Sequence, residues 1–114
     1  MSLDVYLYGA DCSACGRGGE DLFSQNITHN LGAMAEAAGI YKVVWRPEEN
    51  GISTAAQLIE PLRSGIAAMK ADPARFEAFN APNGWGTYEH FVPFVEEYLK
   101  ACVEHPESRV EASR

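Results

Sequence analysis

Two cysteines three positions apart, Cys12 and Cys15, carry the most recognisable chemistry of the chain. Two thiolates at this spacing can grip one tetrahedral zinc ion, and the following glycine, Gly16, lets backbone N–H groups turn towards the sulfurs. The pattern therefore predicts a zinc knuckle. A knuckle supplies only part of a tetrahedral site, and the sequence has no second C-x-x-C pair. The missing ligands would have to come from a carboxylate or from Cys102, His29, His90 or His105.

Two other interpretations of this cysteine pair stay open. Both residues can be reduced thiols in a loop, since a disulfide framework is not expected in a reducing compartment. A redox pair is less favoured, because low-pKa thiols usually lie at a helix N-terminus and the glycines at 16, 18 and 19 discourage a helix there. Cys102 falls on the apolar stripe of a predicted helix, which predicts core packing.

A cluster of polar and aromatic residues is the second candidate site, and it draws on three segments. Residues 26–30 open a predicted helix, and helix N-termini attract anions and carboxylates. The other two segments each place a tryptophan beside loop-forming residues, where a large ring needs the core or a ligand to pack on. The predicted ligand-binding residues are Asn26, Thr28, His29, Asn30, Trp45, Arg46, Asn83, Trp85 and Tyr88. Capping by Asn26 and Thr28, and a turn at Asn83-Gly84, are the purely structural alternatives.

The elements that would position these residues form an α+β fold, with a small, mostly antiparallel sheet and about four helices packed on one face. The alternation of Leu3, Val5 and Leu7 predicts an opening strand. A short second strand is expected at 22–24, and the tail around Val110 and Ala112 is expected to pair beside the first strand. Apolar stripes predict helices over 28–38, 54–71, 73–79 and 88–104.

Several local features within these elements bear on the fold. Thr54 and Gln57 resemble a capping box at the start of the second helix. Pro61 is expected to kink or divide that helix, and Pro93 to bend the first turns of the last one. Residues 40–46 are apolar and aromatic, and they fit a strand and a helical turn equally well.

Bulk composition narrows the class of protein. A chain of 114 residues with 46% hydrophobic residues predicts one domain over 1–114 with its own core. The net charge of −7 argues against nucleic acid as a partner, and the lack of a long apolar run argues against a membrane span. The opening residues 1–4 contain no basic region followed by an apolar stretch, so we expect a cytoplasmic protein.

Four segments carry a family resemblance. NITHNLGAMAEAAGIY (26–41), WRPEE (45–49), LIEPL (58–62) and NGWGTY (83–88) resemble a family of small proteins from bacteria, especially actinobacteria, and their phages. The likeness covers most of the chain, including the tail that closes on Ser-Arg. The family has no assigned activity, so the resemblance implies a class of source and no catalytic role. Some members carry the cysteine knuckle and others lack it, which implies that a bound zinc would be an accessory.

Three functional hypotheses follow. The first is a binding protein for a small polar or anionic ligand, in which Arg46 supplies charge and the tryptophan rings supply stacking. The second is a protein-interaction or regulatory module of phage or host origin, with Trp45, Trp85 and Tyr88 as exposed anchors. The third is a small enzyme with His29 as general base, although spacing identifies no nucleophile or acid to go with it. A concave site around His29 favours the first hypothesis, and a flat aromatic patch favours the second.

Overall fold

The computed structural model describes residues 2–9, 21–80, 84 and 86–113. Three strands and five α-helices follow one another in these ranges, with 3-10 helices at His29–Leu31 and Pro47–Asn50. The strands are β1 (Ser2–Tyr8), β2 (Asp21–Thr28) and β3 (Arg109–Ser113). The helices are α1 (Gly32–Ala37), α2 (Tyr41–Trp45), α3 (Ala56–Ala71), α4 (Pro73–Glu77) and α5 (Tyr88–Glu104). The predicted α+β class is confirmed.

The sheet is antiparallel, with the strand order β2-β1-β3. Its register pairs Leu3 with Ile27 and Leu7 with Val110, so the apolar residues of all three strands share one face. The alternation in β1 buries Leu3, Val5 and Leu7 completely, as the period of two requires. The helices therefore cover this face, and the first strand is the centre of the sheet.

The strand β3 is held on both of its edges. One edge pairs with β1 from Asp4↔Ser113 to Tyr8↔Arg109, which confirms the predicted pairing of the tail with the first strand. On the other edge the backbone N–H of Val110 donates to Ser53 O (2.9 Å), and the N–H of Ala55 donates to Ser108 O (2.9 Å). These bonds fix the start of α3 against the sheet.

The core joins the sheet to α3 and α5. Leu58, Leu62 and Met69 of α3 are fully buried, and so are Phe91, Val95 and Tyr98 of α5. The side chain of Ile40 packs closely against α3 at Gly65, where an added Cβ would lie 2.5 Å from Cγ2 of Ile40. Glycine is thus needed at this position because a core side chain occupies the space of any larger residue.

The expected helix over 28–38 is wrong at its start. β2 continues to Thr28, which pairs with Ser2, so Asn26 lies inside a strand and does not cap a helix. The pairing with β1 extends the short strand expected at 22–24 to 21–28, because these residues complete the antiparallel ladder. Helical structure begins with the 3-10 helix, which Thr28 caps by accepting from the N–H of Asn30 (3.3 Å).

The other helices follow the prediction more closely. The last helix has the expected bounds, and the second begins at Ala56 instead of Thr54. Gln57 reaches back to the N–H groups of Ser53 (2.7 Å) and Thr54 (3.0 Å), which is one half of the expected capping box. Pro61 does not divide α3, since the carbonyl that would lose its partner belongs to the exposed first turn at Gln57.

Within residues 40–46, which fit a strand and a helical turn equally well in sequence, Tyr41–Trp45 form the short helix α2. Asn50 holds the end of α2 by donating from Nδ2 to Arg46 O (2.8 Å) and Lys42 O (3.1 Å). This helix places Val44 and Trp45 in the core. Among the described residues, no helix combines the length and the apolar character that a membrane crossing requires.

Candidate functional site

The end of β2 carries four of the sequence-predicted site residues: Asn26, Thr28, His29 and Asn30. The chain turns here from an extended strand into a 3-10 helix, and this change of direction presents consecutive residues to the same space. Asn26 is anchored on the outer side of the sheet, where its Nδ2 donates to Asp4 Oδ1 (2.8 Å). His29 and Asn30 follow directly after the strand.

Gly86 packs against this strand end and brings a second predicted segment to it. An added Cβ on Gly86 would lie 3.0 Å from Thr28 Cγ2, 3.1 Å from Asn30 Cβ and 3.4 Å from Leu31 Cγ. Gly86 is buried and has a φ of 106°, a conformation that other residues rarely adopt. Gly86 therefore lies in contact with the end of β2 and the residues that follow it. Asn83 and Trp85 lie outside the described residues.

A cleft opens between the end of β2 and the first half of α5, with a volume of about 1180 Å³. Its lining mixes amide, hydroxyl, imidazole and carboxylate groups with apolar side chains. The lining residues are Gln25, Asn26, Ile27, Thr28, His29, Asn30, Leu31, Gly84, Gly86, His90, Pro93, Phe94 and Glu97. Among these described residues Glu97 is the only carboxylate, and none is Lys or Arg. The described lining is thus partly polar and largely apolar, and it carries little charge.

His29 lines the cleft with a fixed hydrogen-bonding role. The indole Nε1–H of Trp45 donates to its Nδ1 at 2.9 Å, and the two ring centroids are 6.5 Å apart. An indole nitrogen can only donate, so Nδ1 accepts, and in the neutral ring the hydrogen is on Nε2. The nitrogen left over for a ligand is therefore a donor. This tautomer argues against the hypothesis that His29 is a general base.

Glu97 marks the opposite end of the cleft. Nε2 of Gln25 donates to Oε2 of Glu97 (2.9 Å), which links β2 to α5 across the cleft. Gln25 precedes His29 by four residues along the chain. The cleft therefore has a hydrogen-bond donor at one end and a carboxylate at the other.

Three predicted site residues do not line the cleft. Trp45 is only 1% exposed, because α2 buries it between Tyr41, with ring centroids 5.3 Å apart, and Phe91, at 6.5 Å. It supports His29 from behind, and the expectation that it is an exposed anchor is wrong.

Arg46 and Tyr88 are also engaged elsewhere. Arg46 forms an exposed ion pair with Glu49 (2.6 Å), and the hydrogen bond to Glu49 is the main reason that the pKa of Arg46 is raised. The hydroxyl of Tyr88 donates to Met69 O (3.0 Å), which joins α5 to α3. Arg46 therefore does not supply charge to the cleft, and Tyr88 has a structural role.

Four lining residues that the prediction missed lie on α5: His90, Pro93, Phe94 and Glu97. Their spacing of i, i+3, i+4 and i+7 places them on one face of the helix. This face mixes polar and apolar residues beside the fully apolar stripe that faces the core. This mixed face is the sequence feature that could have pointed to the cleft, because a helix face that is neither fully apolar nor fully polar often borders a cleft.

The zinc prediction remains a prediction. Cys12 and Cys15 lie outside the described residues. Within the described ranges, no three His, Cys, Asp or Glu side chains gather in a way that could hold a metal ion. Cys102 is buried in the core, as predicted, and burial raises the pKa of its thiol to about 12, so it is poorly suited to act as a metal ligand.

Comparisons with models of protein families, with curated proteins and with solved structures found no match to this chain.

The wall formed by Gly86 gives a direct test of the cleft geometry. We expect Gly86→Ala to lower the free energy of unfolding by about 1 kcal/mol more than Gly84→Ala does. Both glycines have positive φ (106° and 77°), but an added Cβ on Gly84 meets nothing within 4 Å. A positive φ strains alanine in both variants, and more at 106° than at 77°, whereas crowding against Thr28 affects Gly86 alone. Urea unfolding measures the difference, and equal losses would contradict this packing.

Proposed function

We propose that this protein binds a small polar or anionic ligand in the cleft between β2 and α5. The observation that carries the proposal is the state of His29, whose Nδ1 is occupied by Trp45 and whose Nε2–H is left to donate. A ligand at this end must present a hydrogen-bond acceptor, such as a carbonyl or a carboxylate. The burial of Trp45 holds the donor in place before the ligand arrives, which reduces the entropic cost of binding.

The residues that line the cleft indicate which kind of hydrogen-bond acceptor the ligand carries. Phosphate-rich ligands are usually held by arginine, lysine or several backbone N–H groups, and the described lining contains neither basic residue. Apolar contacts from Ile27, Leu31 and Phe94 favour a ligand with some carbon surface beside its polar group. A carboxylate or amide on a small organic body fits this combination better than inorganic phosphate does.

The test is an NMR titration of the labelled protein with N-acetylglycine, N-acetylglycinamide and propylammonium. We expect the first two compounds to shift amide signals of residues 25–31 and 90–97, because both present acceptors. Propylammonium carries no acceptor and should leave the region around His29 unchanged. A uniform absence of shifts with N-acetylglycine and N-acetylglycinamide at millimolar concentration would contradict the proposal.

Variants separate binding from stability. His29→Ala should weaken binding of N-acetylglycine and also lower Tm by several degrees, because the buried Trp45 loses its acceptor at a cost of about 1–3 kcal/mol. His105→Ala is the matched control, since His105 follows the far end of α5 and does not line the cleft. It should change neither quantity. Unchanged Tm in His29→Ala would show that the bond to Trp45 contributes little.

A further inference from the structure

Among the described residues, no strand pairs with the second edge of β2. In the described part of the chain it pairs with β1 alone and forms one border of the sheet. In an antiparallel ladder every second residue of a border strand directs its N–H and C=O away from its neighbour. No proline or lysine occurs within Asp21–Thr28 to block a further strand. The backbone of β2 can therefore accept a further strand.

The cleft reaches this second edge of β2. Successive side chains of a strand point to opposite faces, so a cleft beneath one face would be lined by every second residue. Here all four strand residues from Gln25 to Thr28 line the cleft, which places it along the edge itself. Phe23 and Ile27 are also left half-buried, whereas their partners Leu7 and Leu3 are fully buried. A segment laid along β2 would cover this apolar surface together with Phe94.

The two ends of the cleft differ in charge. Glu97, held by Gln25, offers a carboxylate at one end, and His29 offers an N–H donor at the other. The four steps along the chain from Gln25 to His29 separate these ends by about 13 Å, at roughly 3.3 Å per extended residue. A ligand that satisfies both ends carries a cation and an anionic acceptor at that separation.

We propose that the ligand of this cleft is a short peptide of roughly three or four residues with free termini, extended along the edge of β2. This inference rests on the proposed function of the same cleft. The ammonium group of the peptide lies beside Glu97 and its terminal carboxylate accepts from His29 Nε2–H. Since Gln25 precedes His29, the peptide runs parallel to β2. Its backbone pairs with the outward N–H and C=O groups of the strand.

A second copy of this chain is the competing occupant of this strand edge. Each chain has a net charge of −7, so pairing two copies edge to edge brings together two strongly acidic molecules. A peptide with an amino terminus instead brings a positive charge to the carboxylate of Glu97, whose hydrogen bond from Gln25 is to a neutral amide. Charge complementarity thus favours the peptide over self-association.

The experiment titrates the labelled protein with tetra-alanine in four forms: free, N-acetylated, C-amidated and blocked at both ends. We expect free tetra-alanine to bind most tightly and to shift alternate backbone amides of β2. Blocking either terminus should weaken binding by about 3- to 5-fold, in keeping with the strength of exposed charge pairs. Unblocked dialanine should bind less tightly than tetra-alanine, because it spans only one end of the cleft.

Two variants test which end of the cleft binds which terminus of the peptide. Glu97→Gln should abolish the difference between free and N-acetylated peptide and leave the effect of C-amidation intact. His29→Ala should do the reverse. Glu96→Gln is the matched control, because it removes a carboxylate from the neighbouring position of α5 that is bonded to Lys70 and does not line the cleft. It should preserve both differences.

The outcomes distinguish a failure of the peptide inference from a failure of the proposed ligand-binding function. If N-acetylglycine binds near His29 but tetra-alanine binds no more tightly, the peptide inference is overturned and the polar-ligand function stands. If neither compound shifts the cleft residues, both fail. If blocking either terminus leaves the affinity for tetra-alanine unchanged, the assigned orientation is overturned. A concentration-dependent dimer that Glu97→Gln strengthens would identify the second copy as the occupant instead.

Discussion

Replacing Trp45 with alanine is expected to lower the free energy of unfolding by about 3–5 kcal/mol. Among the described residues, Trp45 is the largest fully buried side chain, and its ring contacts Tyr41 and Phe91. The alanine variant removes this packing, leaves a cavity and deprives His29 of its donor. A loss of this size is a large share of the total stability of about 5–15 kcal/mol that is typical of a natural domain.

Urea unfolding followed by circular dichroism measures this loss. Trp45→Phe is the companion variant, because it keeps an aromatic ring in the core and removes the N–H that His29 accepts. Its loss should be smaller, and combining it with His29→Ala should cost less than the sum of the single losses. If the alanine variant does not fold, this cycle still tests the bond between the two rings. A loss below about 1 kcal/mol for Trp45→Ala would contradict the burial of the ring.

The second large effect is a gain in stability in Tyr98→Phe, of about 1–3 kcal/mol. Tyr98 is fully buried between Phe23 and Phe94, with centroid distances of 5.6 and 5.9 Å, and its hydroxyl has no hydrogen-bond partner among the described residues. Phenylalanine keeps the ring packing and removes the unsatisfied group. Tyr88→Phe is the matched control of opposite sign, since the hydroxyl of Tyr88 donates to Met69 O. Thermal and urea unfolding of both variants provide the comparison, and a loss of stability in Tyr98→Phe would contradict it.

We also expect Tyr98 and Cys102 to lower the stability of the fold at alkaline pH. Burial raises the pKa of Tyr98, with a smaller contribution from Cys102, and burial raises the pKa of Cys102 from 9.0 to about 12. Above pH 9 the unfolded chain therefore loses protons that the folded protein keeps. The free energy of unfolding should fall across this range, by up to about 1.4 kcal/mol per pH unit for each proton. The double variant Tyr98→Phe/Cys102→Ala should make the decline less steep.

The parts of the fold that the sequence predicted well are those in which one pattern dominates. The alternation around Val5 and the apolar stripe from Phe91 to Cys102 each have one way to bury their apolar residues, and both were placed correctly. The segment 26–30 was misassigned because its polar residues suit a helix cap and a border strand equally. Pairing with β1 decides between these, and a pairing between distant residues leaves no mark on local composition.

Some of the residues that line the cleft were named from the sequence, and others were not. His29 and Thr28 were identified because polar side chains concentrate in one short segment. Trp45 was placed in the ligand site because a tryptophan before Arg46-Pro47 reads as a loop residue, yet α2 turns its ring into the core. Glu97 and Phe94 belong to a helix distant in sequence, and only the packing of α5 beside β2 brings them to His29.

The central place of β1 has a consequence for synthesis on the ribosome. Tyr8 pairs with Arg109, so about a hundred further residues must be synthesised before β3, the second neighbour of β1, is available for pairing. Until then one border of β1 is exposed, and the hairpin with β2 is an incomplete nucleus. The helix pair α3 and α5 can associate earlier. The growing chain should therefore be most prone to aggregation before β3 emerges. A series of nascent chains of increasing length that becomes protease-resistant abruptly once β3 is included would show that the fold is completed only at that point.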